Sequence, residues 1–174
     1  MKIAIAGGTG MVGKKLTELL LKNKHEVIIL TRGEPRTENN IHYVQWLKEN
    51  AQPETQLEQL DAFINLAGVS LNEGRWTDEQ KEKIYNSRME STDEVVRILQ
   101  AVTHKPNVLI NASAVGIYPV SETAVYTESS TEQADDFLGS VVADWEQKAA
   151  TAETLGIRTC FTRFGVILAK GEGA

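Results

Sequence analysis

The sequence has one cysteine, Cys160, so no disulfide can form within the chain and a small disulfide-stapled scaffold is excluded. That cysteine lies in the apolar run TCFTRFGVIL, where a buried, reduced thiol is expected, and a reducing compartment with it. Prolines number only four, and no Pro-, Gly- or Ser-rich tract interrupts the chain, so neither disorder nor an internal linker is expected. Positive charge is in deficit. The net charge of −6 removes the counterion-displacing surface that nonspecific nucleic-acid binding requires. Long hydrophobic runs are missing too: none reaches the roughly 20 residues that span a bilayer. The apolar stretch in the opening MKIAIAGG is too short for a signal sequence, so a cytoplasmic protein without a membrane partner is expected. The three histidines, His25, His42 and His104, are scattered without metal-ligand spacing and read as surface residues, with no metal site expected.

What is present is a regular alternation of strand-like and helix-like segments over 174 residues, enough for one well-buried domain. KIAIAG, HEVIILTR, IHYVQW, DAFINLAG, KPNVLINASA and RTCFTRFGVIL read as strands, the third more weakly than the others. MVGKKLTELLLKNK carries Val12, Leu16, Leu19 and Leu20 at helical spacing. GEPRTENN reads as a polar turn region, ETQLEQL as a short helical piece and VSLNEGRW as a loop. Thr77 with Gln80 three residues on forms a capping box that should start a long helix running to about Val102. DDFLGSVVADWEQKAATAETLG supplies a further helix. Strands joined by helices of this length cannot be hairpins, so a doubly wound parallel α/β sheet of Rossmann type is expected. Ligands in such sheets bind at the carboxyl ends of the strands, where GGTGMVG, TRG, NLAGVS and NASAVGIYP fall.

Gly7, Gly10 and Gly13 recur at intervals of three between a strand and an amphipathic helix. In a dinucleotide site the first permits the tight turn, the second a close backbone approach to pyrophosphate, and the third close helix packing on the sheet. The helix N-terminus then offers N–H donors and the positive end of its dipole to the anion. The second strand should reach the adenosine ribose. It ends in Thr31 and Arg32, a hydroxyl and a cation suited to a 2′-phosphate, so NADP is the expected cofactor; Glu34 as a ribose acceptor would instead suit NAD.

With GGTGMVG, LTR, DAFINLAG, GRWTDEQKEKIYNSR, INASAVGIYP and DDFLGSVVADWE in this order, the sequence resembles the NAD(P)-dependent epimerase/dehydratase family of extended short-chain dehydrogenases. More narrowly, it is similar to its atypical sugar-nucleotide epimerase-like subgroup. The resemblance covers essentially the whole chain. It implies that Gly7, Thr9, Gly10, Met11, Val12 and Gly13 form the pyrophosphate turn, that Thr31 and Arg32 lie at the adenosine ribose, and that Leu66, Ala67 and Gly68 line the cofactor. It also implies that residues 1–174 are the cofactor-binding domain of a longer protein whose carboxyl-terminal substrate lobe is missing from this chain, and that two helices could pair in a homodimer.

Short-chain dehydrogenases place a Tyr and a Lys four residues later on one helix beside a Ser, the cation favouring the tyrosinate that exchanges a proton with substrate. Here the equivalent positions are Phe137 and Val141, which cannot carry a proton. With Trp145, Ala149 and Ala152 they form an apolar stripe read as core. The family's helical Asn aligns with Ser87, beside Asn86. Ser113 survives from the set, and Tyr118, just beyond it, is the candidate phenol; these two are the expected catalytic residues. Asp135 and Asp136 read as carboxylate bases or as helix-start acids, and Arg75 and Trp76 as a hold for an anionic or ring-shaped substrate, with Trp76 otherwise a hydrophobic staple. Arg88 either faces the cofactor or pairs with Glu90, Asp93 or another surface acid. The expected function is an NADP-dependent epimerase or oxidoreductase acting on a small polar metabolite such as a nucleotide sugar. The alternative is an NADP-sensing regulatory protein that has lost the chemistry.

Overall fold

A computed structural model describes residues 1–71, 74–169 and 172–173. Short apolar runs form its main strands: β1 (Lys2–Ala6), β2 (Glu26–Thr31), β4 (Ile41–Gln45), β5 (Ala62–Asn65), β6 (Val108–Ala114) and β7 (Arg158–Phe164). With the small strand β3 (Arg36–Glu38) they make one seven-stranded sheet in the order β3-β4-β2-β1-β5-β6-β7. Every pairing except β3 with β4 is parallel. The strand order reverses at β1, which lies between β2 and β5.

Alternation along the strands divides the core between two faces. Ile3 and Ile5 of β1 join Val27, Ile29 and Ile64 on the face covered by helix α1 (Met11–Lys22) through Leu16, Leu20 and Leu21. Ala4 and Ala6 point the other way, with Ile28, Leu30, Phe63 and Leu109, toward helices α2 (Asp78–Ala101) and α3 (Phe137–Ala150). The doubly wound α/β architecture is therefore as the alternation of elements required. α2 begins at the Thr77 cap, whose hydroxyl accepts from the Gln80 N–H at 3.3 Å. α3 begins at Asp136, whose carboxylate accepts from the Gly139 N–H at 2.8 Å. Asp136 is thus a helix cap, and the helix-start reading holds for it.

Several local expectations need correction. GEPRTENN is not only a turn: β3 runs antiparallel to β4 through Asn39 and Asn40, both at positive φ (51° and 61°), a two-residue reversal of type I′ geometry. The short helical piece expected at ETQLEQL is present as a 3-10 helix, Pro53–Gln56, that ends before Leu57. The last strand stops at Phe164, and β8 (Leu168–Ala169) pairs antiparallel with β9 (Glu172–Gly173) in a separate small hairpin. Leu19 is 56% exposed rather than core-facing, because α1 lies on the sheet along the Leu16–Leu20 side. Cys160 is half-buried, since β7 is an edge strand. Of VSLNEGRW, Asn72 and Glu73 lie outside the described residues.

Candidate functional site

The turn between β1 and α1 depends on its glycines. Gly7 has φ +78°, and a Cβ there would sit 2.6 Å from the Leu66 carbonyl carbon and oxygen. Any side chain at that position would therefore push apart the ends of β1 and β5. A Cβ on Gly13 would lie 2.4 Å from the Gly7 carbonyl oxygen, so the first turn of α1 packs directly on the loop it follows. Gly10 is the helix N-cap and accepts the Lys14 N–H at 2.9 Å. A Cβ there would meet only the Gly7 oxygen, at 3.4 Å, so the space beside Gly10 is open. No acidic residue lies in the first turn of α1, leaving the positive end of its dipole uncompensated by its own helix.

At the end of β2, the Thr31 hydroxyl accepts from the Gly33 N–H at 3.1 Å, and the Gln45 amide donates to the Gly33 carbonyl at 3.3 Å. These bonds shape a short loop that leaves Arg32 exposed. Arg32 makes no hydrogen bond or ion pair with another described residue, whereas nearby Arg36 is committed to Glu38 at 3.3 Å and lies over the Tyr43 ring at 3.8 Å.

Leu66, Ala67 and Gly68 lie beyond β5 and are held from below by a buried polar network. Asn65, fully buried, donates to Asn111 Oδ1 at 2.7 Å and to the Thr92 hydroxyl at 3.3 Å, and its oxygen accepts the Ala67 N–H at 3.2 Å. Trp145 completes the network, its indole N–H on Thr92 at 3.0 Å. Ser87 is a strut: its hydroxyl accepts the Val69 N–H at 3.0 Å and donates to the Ile84 carbonyl at 3.1 Å. Of the two readings of Arg88, the pairing with Glu90 or Asp93 is not formed. The Arg88 Nη1 donates to the carbonyls of Val69 and Ile84, at 3.2 and 2.9 Å, and its guanidinium lies 5.1 Å from the Trp145 ring. Asp93 is taken instead by Lys148, at 2.6 Å.

The end of β6 carries a chain of charged contacts. Ser113, 3% exposed, donates to Glu146 of α3, itself 9% exposed. Glu146 is gripped by Arg163 of β7 through Nε and Nη2, each at 2.8 Å. This bidentate pair holds the Arg163 pKa above its ordinary value, the Glu146 hydrogen bonds contributing most. Arg163 also donates to the Tyr118 phenol oxygen, and that phenol donates to the Thr127 carbonyl at 2.8 Å. The Tyr118 ring stacks on Tyr126, with centroids 4.9 Å apart and planes 2° from parallel. Tyr118, Tyr126, Phe161 and Arg163 line part of a cleft of about 460 Å³.

Ser113 and Tyr118, the two expected catalytic residues, belong to one chain of side chains linked by Glu146 and Arg163, two residues that sequence reasoning passed over. The available signal was a charge where the apolar pattern called for none: Arg163 inside TCFTRFGVIL and Glu146 next to the stripe residue Trp145. The relay positions hold packing groups. Val141 is 2% exposed, and Phe137 is half-buried with its ring edge against Trp76, centroids 6.2 Å apart. Trp76 is therefore no staple on its own helix. It donates its indole N–H to the Leu71 carbonyl at 2.8 Å and docks on the start of α3. The histidines lie at element ends: His42 is exposed against Thr37 and His104 exposed against Glu58, while His25 is half-buried near the terminal amine.

Comparison with known proteins agrees with this geometry. The epimerase family protein YfhF of Bacillus subtilis is 47% identical over 169 residues, covering 97% of this chain and 55% of its own length. The chain thus spans about half the length of the curated relatives it matches. Among solved structures, human epimerase family protein SDR39U1, crystallised with NADPH, superposes with a TM-score of 0.83 at 29% identity, covering 100% of this chain and 57% of that one. A nucleoside-diphosphate sugar epimerase from Corynebacterium glutamicum gives 0.80 at 34% identity, covering 99% of this chain and 35% of that one. The NAD dependent epimerase/dehydratase profile matches residues 3–173. With the glycine turn, the strand order and this match over nearly its full length, the chain belongs to the NAD dependent epimerase/dehydratase family.

Proposed function

We propose that this chain is the cofactor-binding part of an NADP-dependent oxidoreductase of the epimerase type, acting on a small polar metabolite such as a nucleotide sugar. The observation that carries the reading is the glycine-capped N-terminus of α1 abutting the Leu66–Ala67 strand end. The residues fit a dinucleotide: main-chain N–H groups of Met11, Val12 and Gly13 would receive the diphosphate, while the Gly10 N–H closes the turn on the Gly7 carbonyl at 3.1 Å and Thr9 completes the loop. Leu66, Ala67 and Gly68 present a flat backbone wall, and exposed Arg32 with Thr31 reaches a 2′-phosphate. The NADPH bound by human SDR39U1 supports the same choice.

When bound, the nicotinamide supplies the hydride acceptor or donor. Ser113 and Tyr118 supply the polar contacts to substrate. Because the Ser113 proton is turned toward Glu146, its oxygen presents lone pairs and favours a substrate hydroxyl as donor. Tyr118 is aligned by Arg163, whose guanidinium donates to the phenol oxygen. The test is turnover of the full-length protein across a panel of nucleotide sugars and small carbonyl compounds, followed by nicotinamide absorbance. Ser113→Ala and Tyr118→Phe should each lower kcat by about 10²-fold or more; unchanged rates in both would refute their roles.

One observation favours a second reading, an NADP sensor without turnover: the relay positions are filled by the packed side chains Phe137 and Val141. Tight NADP⁺ binding by calorimetry, no turnover of any panel compound and a partner retained only with cofactor would select it.

A further inference from the structure

Two arginines of this fold, the partly buried Arg163 and the more exposed Arg97, have carboxylate partners among the described residues, and Arg88 does not. Arg163 is clasped by Glu146, and Arg97 by Glu54 and Glu94 at 2.7 Å. Arg88 is half-buried, yet no carboxylate pairs with it among the described residues. Only its Nη1 is engaged there, by two carbonyl oxygens, so the Nε and Nη2 donors have no partner among these residues. Burial lowers its pKa, but an arginine stays protonated at neutral pH and cannot escape by neutralising. Desolvating a charge without a counter-charge is costly, and two carbonyl dipoles offset only part of that cost.

Its surroundings are built rather than incidental. A Cβ on Gly68 would come within 3.3 Å of the Arg88 Cγ and Cζ, so the side chain packs closely against the loop after β5. Trp145 flanks the guanidinium at 5.1 Å and packs with Met89, Ala112, Leu66 and Phe164 near the carboxyl ends of β5, β6 and β7. That is the end of the sheet from which the glycine turn and Ser113 also project.

We infer that Arg88 is an anion-binding residue of this site, its free donor edge receiving a phosphate or carboxylate presented at the ends of β5 and β6. The inference rests on the proposed dinucleotide-dependent reading for the identity of the site, and it deepens it: the anion comes either from the cofactor's diphosphate or from an acidic group on the substrate. A planar fork of N–H donors binds either bidentately, which a lysine cannot reproduce.

Calorimetric titration of the full-length protein tests this, using wild type, Arg88→Gln and Arg88→Lys, with folding checked by circular dichroism. The probes are NADP⁺, and then inorganic phosphate and oxalate added to free and NADP⁺-loaded protein at constant ionic strength. If the anion belongs to the substrate, phosphate or oxalate binds the loaded wild type, and both variants weaken it by about tenfold or more while NADP⁺ affinity is held. If it belongs to the cofactor, the variants weaken NADP⁺ itself by that factor, and the loaded protein ignores phosphate and oxalate. Either result supports Arg88 as an anion ligand. Equal affinities for every probe in wild type and Arg88→Lys, or in wild type and a folded Arg88→Gln, overturn it. Wild type that binds phosphate or oxalate through Arg88 but not NADP⁺ would refute the dinucleotide reading and leave this inference standing.

Discussion

A backbone angle at one residue decides whether the opening turn can exist. Gly7→Ala forces an L-residue into the left-handed region, at a cost of about 1–2 kcal/mol, before the clash at 2.6 Å with Leu66 is counted. Thermal denaturation should show Tm lowered by about 4 °C or more, and an NADP⁺ titration should show binding lost. A melt and a titration both matching wild type would refute the role given to this turn. The same scale governs Glu146. Removing its carboxylate in Glu146→Ala leaves Arg163 without its counter-charge and Ser113 without its acceptor. The expected loss is about 3 kcal/mol, the low end for breaking a buried pair, because the Arg163 side chain keeps 25% of its surface exposed. Chemical denaturation should show the unfolding free energy reduced by that amount.

Elements are joined here by carboxylates that cap or tether their ends. Glu58 follows the 3-10 turn, and its oxygens accept the N–H groups of Thr103 at 2.7 Å and His104 at 3.1 Å, tying down the exit from α2. The Thr103 N–H, then the His104 N–H, lower its pKa from an ordinary 4.5 to about 2. A carboxylate depressed in the folded state contributes stability that is complete above its unfolded pKa and is lost as pH falls through its folded one. Wild type should therefore lose stability between about pH 4.5 and about pH 2 to a greater degree than Glu58→Gln. Denaturant melts across that range check the prediction, and parallel slopes would refute it. Of these elements, α2 was legible because its start signal is local: Thr77 and Gln80 close the cap within one turn. The tether from Glu58 was not, since it joins residues 45 apart in sequence.

For the whole molecule, ligand choice is expressed as stability. A cofactor present at 100 times its Kd should raise unfolding free energy by about 2.7 kcal/mol. NADP⁺ is expected to shift Tm further than the same concentration of NAD⁺, and Arg32→Ala should erase the difference. Equal shifts in wild type would remove the case for the 2′-phosphate. At this scale the alternation of strands and helices and the glycine spacing were enough to reach the fold and the position of the candidate site. They report local preference and a pattern repeated along the chain, which a sequence carries directly. The charged chain from Ser113 to Tyr118 and the half-buried Arg88 were decided only by the tertiary structure. Each depends on which side chains of distant strands and helices meet in a low-dielectric space. There, the meaning of a charge is set by its partners rather than by its neighbours in sequence.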